Sequence, residues 1–280
     1  MAVGSSTQQY KTVNRHCQLL LPTATANADF YMVKLSVVII TFNEERNIGR
    51  CLDALAGVAD DVVVVDSFST DNTEKICREK GARFIQHAFE GYGAQKNRAL
   101  QQALYPCVLS LDADEVLSEK LRDSISTVKE NWQHNGYTLN RLTNYCGQWI
   151  RHSGWYPDRK LRLFDTRKGR WGDDAVHEKV ELVAGSSIGH LEGDLLHYSY
   201  YSVNEHIERV RKYANMAAQA LHAQGKSASW LNVIFSPLFK FIRNYFLKLG
   251  FLDGRAGWTI CRIAALETYL KYRTLLRLRS

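Results

Sequence analysis

Cysteine pairing is the first thing the sequence withholds. Its six cysteines (Cys17, Cys51, Cys77, Cys107, Cys146 and Cys261) are scattered along 280 residues, with no Cys-x-x-Cys. That spacing excludes a zinc-finger framework, and the length excludes a small disulfide-stapled scaffold, so reduced thiols are expected. Proline is scarce, at 4, while 45% of residues are hydrophobic and 23% charged, the composition of a folded chain and not a disordered one. Long apolar runs are missing as well. The longest charge-free stretches reach 13 residues, Ser227 to Phe239 among them, against the roughly 18 to 20 that a membrane span needs. No span is predicted. The stretch around "LLLPTATA" lacks the basic, apolar and cleavage-site order of a signal peptide. No G-x-G-x-x-G follows a strand and no Walker A loop occurs, which argues against a dinucleotide fold and a P-loop enzyme.

What is present is unevenly distributed. From Ser199 onward there are 13 Lys and Arg against 4 Asp and Glu, so that stretch carries +9 of a chain whose net charge is +7, and the first 198 residues carry −2. A basic tail implies an anionic partner: nucleic acid, a membrane surface or a phosphorylated substrate. Residues 1–31 are polar and irregular. They are read either as a floppy N-terminal arm or as a segment ahead of a natural start at Met32.

From residue 32 the pattern is regular. "LSVVIITF", "DVVVVD", "ARFIQH" and "PCVLSLD" are short apolar strands. They alternate with helical spacing in "NEERNIGRCLDALAG", "STDNTEKICREKG" (with Ser69 or Thr70 as cap) and "YGAQKNRALQQAL". This alternation predicts a parallel α/β sheet, whose ligands lie beyond the carboxyl ends of the strands. Thr41, Asp66 and Asp112 fall at those ends. From about Asn135 the strands "GYTLNRL", "RKLRLFD" and "EKVELV" belong to a more mixed region. Beyond Tyr200 the chain is predicted helical, over 203–224, 230–249 and 256–276, with a Gly-mediated turn at "FLDGRAGW". The domains expected are thus the arm, a catalytic unit over 32–198 (34–116 and 117–198 being its halves) and a basic amphipathic helical region over 199–280.

The stretch "SLDADEVL" sets three carboxylates, Asp112, Asp114 and Glu115, into four positions. Like charges this close are costly unless something positive is present. On an extended backbone Asp112 and Asp114 face one way, and hard oxygens suit Mg²⁺ or Mn²⁺ shared with substrate phosphates. A solvated acidic turn capping the next helix is the plainer alternative.

Taken together, "SVVIITFNEERNI", "VVVVDSFSTDNT", "GAQKNRAL" and "LSLDADE" resemble the ordered blocks of a family 2 glycosyltransferase of the inverting GT-A type, over residues 35 to 115. The resemblance implies a Rossmann-like, mostly parallel sheet flanked by helices, a nucleotide-sugar donor and a divalent metal. It implies that the Thr41–Glu44 turn lies against the nucleotide and that Asp66 contacts the base. Lys96 approaches the nucleotide or its phosphates, Asp112 lies near ribose and metal, and Asp114 is the direct metal ligand. Ser67-Phe68 departs from the acid or glycine common after Asp66. "GWYPDRKLRLFD…RWGDDAVHEKVEL" resembles a subgroup with a later His-Glu pair, which makes His177 the candidate third metal contact. An inverting transfer needs a carboxylate to take the acceptor hydroxyl's proton. Glu178 and Asp173 are the level candidates, with Asp174 beside them. Arg159 and Arg162 are read as phosphate or anionic-acceptor binders, or equally as plain strand-surface charge.

The basic helices, with Lys240, Arg243 and Lys248 among apolar stripes, fit a peripheral contact with an anionic membrane, or a helical cap with a solvated basic side. Nucleic acid is disfavoured by those apolar stripes. Tail and His-Glu block together resemble, more loosely, lipopolysaccharide-core β-glucosyltransferases. The function implied is transfer of a hexose, glucose from UDP-glucose being first choice, to a lipid-linked saccharide of the lipopolysaccharide inner core at the cytoplasmic face of the inner membrane. The alternatives are a transferase to polyprenyl phosphate or an exopolysaccharide, and an inactive nucleotide-sugar-binding or membrane-docking module.

Overall fold

A computed structural model describes residues 32–172 and 179–278; the expectations for residues 1–31 lie outside them. The run Leu35–Thr41 (β1) is buried at every position. Leu35, Val37 and Ile39 pack with Leu109, Leu111, Leu121 and Ile125 on one side, while Val38 and Ile40 meet Val63, Val65, Val108 and Ala99 on the other. A strand covered on both faces needs no polar alternation, which is why this one has none.

Helix α1 (Ile48–Asp53) leads to β2 (Asp61–Asp66), α2 (Thr73–Glu79) to β3 (Arg83–Gln86), and α3 (Tyr92–Gln101) to β4 (Cys107–Asp112). These four strands are parallel in the order β3-β2-β1-β4. The chain steps outward from β1 to β3 and then returns to β1's other side, so the order reverses between β1 and β4. Crevices at the carboxyl ends of such strands are where α/β sheets bind ligands. Register puts Thr41 beside Asp66 and Ile40 beside Asp112, so all three strands end at one edge.

After β4 the sheet becomes mixed. The elements are β5 (Glu115–Leu117), α4 (Glu119–Glu130), β6 (Gly136–Tyr145), β7 (Gln148–Ile150) and β8 (Asp158–Asp165). A separate antiparallel pair, β9 (Gly169–Trp171) with β10 (Val180–Leu182), precedes the long β11 (Ile188–Tyr200). The large sheet continues β4-β8-β6-β11-β5, with β8 antiparallel to β4, and β7 pairs with β6. Then come α5 (Val203–Ala223), α6 (Trp230–Ile242), a π-helical turn (Arg243–Leu247), a 3₁₀ turn (Gly250–Asp253) and α7 (Gly254–Leu278).

Several local expectations shift, each for a physical reason. Helix α1 is shorter than its sequence pattern, because residues 42–47 are held in a loop by side chains from the β2–α2 connection. Neither Ser69 nor Thr70 caps α2; Asn72 holds that position without a side-chain bond to the helix, its amide donating to Glu45 instead, while Ser69 is engaged by Asp66. Asp114 lies in a turn between β4 and β5, so the two-residue alternation of an extended strand does not relate it to Asp112. The glycine-mediated turn is tight: a Cβ on Gly257 would stand 1.9 Å from the Gly250 carbonyl oxygen, so only glycine lets α7 approach the 3₁₀ turn. Asp253 ends that turn, nearly buried, and accepts from Arg151 N, His152 N and Ser153 Oγ, tying it to the loop after β7.

An aromatic cluster joins the sheet to α5. His206 is 4% exposed, its Nδ1 lies 3.2 Å from Tyr145 Oη, and Tyr200 and Trp155 pack against its ring. Burial, with Arg209 adding to it, pushes the imidazole down from 6.5 to about 4. The fold therefore favours neutral His206, and this contribution, complete above about pH 6.5, is lost as pH falls toward about 4. At about pH 5 the loss amounts to about 2 kcal/mol. Urea unfolding at about pH 7.5 and about pH 5 checks this: wild type should lose about that much more stability than His206→Phe, and equal losses would exclude it.

Candidate active site

Two loops form one wall of the crevice. Asn43 adopts a left-handed backbone, and so does Phe68. Asn43 N donates to Ser69 Oγ at 2.7 Å, and Thr70 N donates to Asn43 Oδ1 at 2.8 Å. Glu44 N donates to Thr73 Oγ1, and Asn72 N to Glu45 Oε2. "FNEERN" and "SFSTDNT" are therefore one hydrogen-bonded unit. Asp66, fully buried, lies beneath it, its carboxylate accepting from Ser69 N at 2.8 Å and from Ser69 Oγ. That carboxylate is turned onto its own loop. Thr41 is also buried, and its Oγ1 has no hydrogen-bond partner. Burial pushes the Glu44 carboxyl up; a hydrogen bond from Asn47 opposes this and the negative Asp114 adds to it.

The floor of the site is an ion-pair network at the end of β4. Arg162, in β8, is 3% exposed, and its Nη2 donates to Asp112 Oδ2 and to Glu115 Oε1, each at 3.0 Å. Glu115 has no exposure, and its other oxygen accepts from Asp112 N. Lys96 Nζ stands 3.1 Å from Asp112 Oδ1. Arg141 lies 3.5 Å from Glu115 and 2.8 Å from Asp158. Burial alone would raise the Asp112 carboxyl, but Lys96 and Arg162 outweigh it and hold the group well below the usual carboxylate range. Two of the three acids of "DADE", Asp112 and Glu115, thus have protein counter-ions. Arg162 is a buried counter-ion, which corrects its reading as a surface or phosphate-binding residue; Arg159 is exposed. Lys96 is 5% exposed and not on a solvated helix face.

Asp114 is the acid this network leaves over. Among the described residues its ion-pair partner is His197, whose Nε2 lies 3.2 Å from Asp114 Oδ2. His197, in β11, stands opposite Glu115 in the β11–β5 register. Among the described residues no three His, Cys, Asp or Glu side chains converge as a metal cluster. A carboxylate and an imidazole remain, both partly exposed. That set fits Mg²⁺ or Mn²⁺, which take few protein ligands and complete their shell with phosphate oxygens and water.

The other wall is the β9–β10 pair. Asn97 of α3 pins it at both backbone atoms of Trp171: Trp171 N donates to Asn97 Oδ1, and Asn97 Nδ2 donates to Trp171 O. The indole lies 4.4 Å from Lys96 Nζ and 5.2 Å from the Arg162 guanidinium. Asp173, Asp174, His177 and Glu178 lie outside the described residues. Gly172 N, on their near side, donates to Lys179 O on their far side at 2.9 Å.

The structure thus brings Thr41, Glu44, Lys96, Asp112 and Asp114 to one end of the parallel sheet, with Asp66 bracing the loops there from below. Sequence reasoning counted Glu115 among the acids that demand a cation but gave it no partner, missed Arg141, Trp171 and His197, and misread Arg162. A signal did exist for Arg162: three acids in four positions demand a cation, and "RKLRLFD" offers one between two leucines. The pairing of His197 with Asp114 crosses 83 residues of chain and leaves no local trace. Removing one partner of a buried pair strands a charge, so Arg162→Met should cost roughly 3–5 kcal/mol. The double variant Arg162→Met/Glu115→Leu should recover part of that loss, because one stranded carboxylate goes with it. Chemical denaturation of both variants checks this, and strictly additive losses would refute it.

Known proteins share the sequence that builds this crevice. The profile of glycosyl transferase family 2 matches residues 36–181, just over half of the chain. The lipopolysaccharide core biosynthesis glycosyltransferase LpsC of Rhizobium meliloti is 30% identical over 253 residues, 85% of this chain and 93% of that one. An uncharacterized glycosyltransferase of Rickettsia typhi, RT0209, is 28% identical over 254 residues, 87% of each. Among solved structures, glucosyl-3-phosphoglycerate synthase of Mycobacterium tuberculosis, in complex with Mn²⁺, UDP and glucosyl-3-phosphoglycerate, matches at TM-score 0.34 and 22% identity. That match covers 40% of this chain and 44% of that one, under half the length of either.

Proposed function

Since the chain belongs to glycosyl transferase family 2, related across most of its length to a lipopolysaccharide core enzyme, we propose that it moves a hexose, glucose from UDP-glucose, onto a lipid-linked saccharide of the lipopolysaccharide inner core, at the cytoplasmic face of the inner membrane. The observation that carries this reading is the charge balance at the end of β4. Asp112 and Glu115 are neutralised by Arg162, Lys96 and Arg141, which leaves Asp114 with His197 as the pair free to engage a ligand cation.

In this reading Asp114 and His197 hold Mg²⁺ or Mn²⁺, with Asp112 beside them. When bound, the ion offsets the charge of the pyrophosphate leaving group. His197 takes the part that sequence alone gave to His177. The knitted loops hold the nucleotide: Asp66 fixes the Ser67–Ser69 turn, Thr41 offers its unpartnered hydroxyl, and Glu44 lies at the wall nearest Asp114. Lys96, fixed by Asp112 and covered by Trp171, sets a positive field where phosphates would lie. Glu178 or Asp173 takes the proton of the acceptor hydroxyl as it attacks the anomeric carbon. This assignment draws support from the closure of the chain between Gly172 and Lys179, beside Trp171.

A turnover screen of nucleotide sugars with Mn²⁺ or Mg²⁺, with and without core-lipid acceptors, tests the reading. UDP-glucose should be consumed, and Asp114→Ala or EDTA should abolish transfer. Of Glu178→Gln and Asp173→Asn, the one that removes the base should lower kcat about 10²–10⁴-fold. Full activity of Asp114→Ala in EDTA would end the metal assignment, and turnover of no nucleotide sugar would end the transfer reading.

A further inference from the structure

Helix α6 is turned inside out relative to a helix of a water-soluble surface. Every exposed residue it has, from Trp230 to Ile242, is a large apolar one. Phe235 is 57% exposed and Phe239 62%. At 3.6 residues per turn these positions cover about half of the helix circumference. The polar Asn232, Ser236 and Lys240 are only half-exposed, on the remaining arc shared with buried Val233. The apolar surface continues through Phe246, Leu247, Phe251 and Leu252. Among the described residues, thirteen of the 25 exposed large apolar side chains lie between Trp230 and Trp258. Scattered single apolar residues would need no explanation, whereas a contiguous patch of this kind marks an interaction surface. A groove of about 880 Å³ between α6 and α7 extends it, lined by Trp230, Ile234, Pro237 and Leu276, with Arg273 and Arg277 at its side.

Charge identifies what covers this surface. From Lys226 to Arg262 there are six basic residues and one acid, and that acid, Asp253, is buried in hydrogen bonds to the loop after β7. Arg243, Lys248, Arg255 and Arg262 are exposed around the apolar face. A second copy would bring the same positive rim against this one. An anionic lipid surface offers both an apolar interior and the opposite charge. Among the described residues no helix is long and apolar enough to cross a membrane, so α6, about 20 Å long, would lie in the plane of the interface.

We propose that the outer face of α6, with the segment from Phe246 to Leu252, inserts into the headgroup boundary of an anionic bilayer, and that Arg243, Lys248, Arg255 and Arg262 bind its lipid phosphates. This deepens the lipid-linked acceptor reading by giving it a surface, yet it rests on α6 and the segment that follows it, and stands or falls by a separate measurement. The full chain is sedimented with vesicles of phosphatidylglycerol and phosphatidylethanolamine, and with vesicles of phosphatidylcholine. Binding should be strong on the first and weak on the second. Phe235→Glu/Phe239→Glu should reduce it at least about tenfold, at an unchanged Tm. Arg243→Gln and Lys248→Gln should each reduce it about fivefold on anionic vesicles. The proposal is overturned if wild type stays in the supernatant, if the double Phe variant binds as wild type does, or if lipid-free wild type is a dimer that this variant dissociates. UDP-glucose consumption without lipid separates the two readings: its absence beside intact vesicle binding sinks the sugar transfer and leaves the docking surface standing.

Discussion

Asp112 and Glu115, two carboxylates side by side at one strand end, need a shared cation before this sheet can close, and Arg162 meets that demand. One guanidinium nitrogen bridges Asp112 and Glu115 at 3.0 Å each, deep in the sheet. Because Arg162 comes from β8 and the acids from β4 and β5, the bridge also locks the parallel half to the mixed half. Lys96 and Trp171 complete the arrangement from α3 and β9. Were Asp112 and Asp114 both left to a bound cation, the fold would depend on that cation for its own integrity. Asp112 and Glu115 are instead paired within the protein, and among the described residues Asp114 has His197 beside it.

The same division of labour holds on the opposite wall. The β1–α1 and β2–α2 loops bind each other through Asn43, Glu44, Glu45 and Ser69, and Asp66 serves as the buttress beneath them. The crevice is therefore preorganised at the switch point of the sheet, where the strand order alone would place a ligand site. A wall made from two loops bonded to each other resists distortion better than a single loop, because most of its backbone amides are already committed.

Much of this was legible in the sequence. Unbroken β-branched runs announce strands buried on both faces, and β1 and β2 are such strands. The carboxyl ends of those runs named Thr41, Asp66 and Asp112 directly. What escaped was long-range: the ion pairs from β8 and β11 to the β4–β5 turn, the Asn97 clamp on Trp171, and the inverted exposure of α6. Periodicity records which residues of a helix share a side but not whether that side faces protein or solvent. In α6 the apolar side faces outward, and neighbouring α7 decides that. The turn at Asp114 was missed for a related reason: a β-strand rule was extended past the last residue of β4.

The hydrogen bond from Gly172 to Lys179 has an evolutionary corollary. It closes the β9–β10 ladder, and Asn97 grips Trp171 behind it, so both ends of the interval are anchored by described residues. Loop closure entropy grows only slowly with length, so natural variation can lengthen the chain between these anchors by insertion without shifting the β9–β10 register.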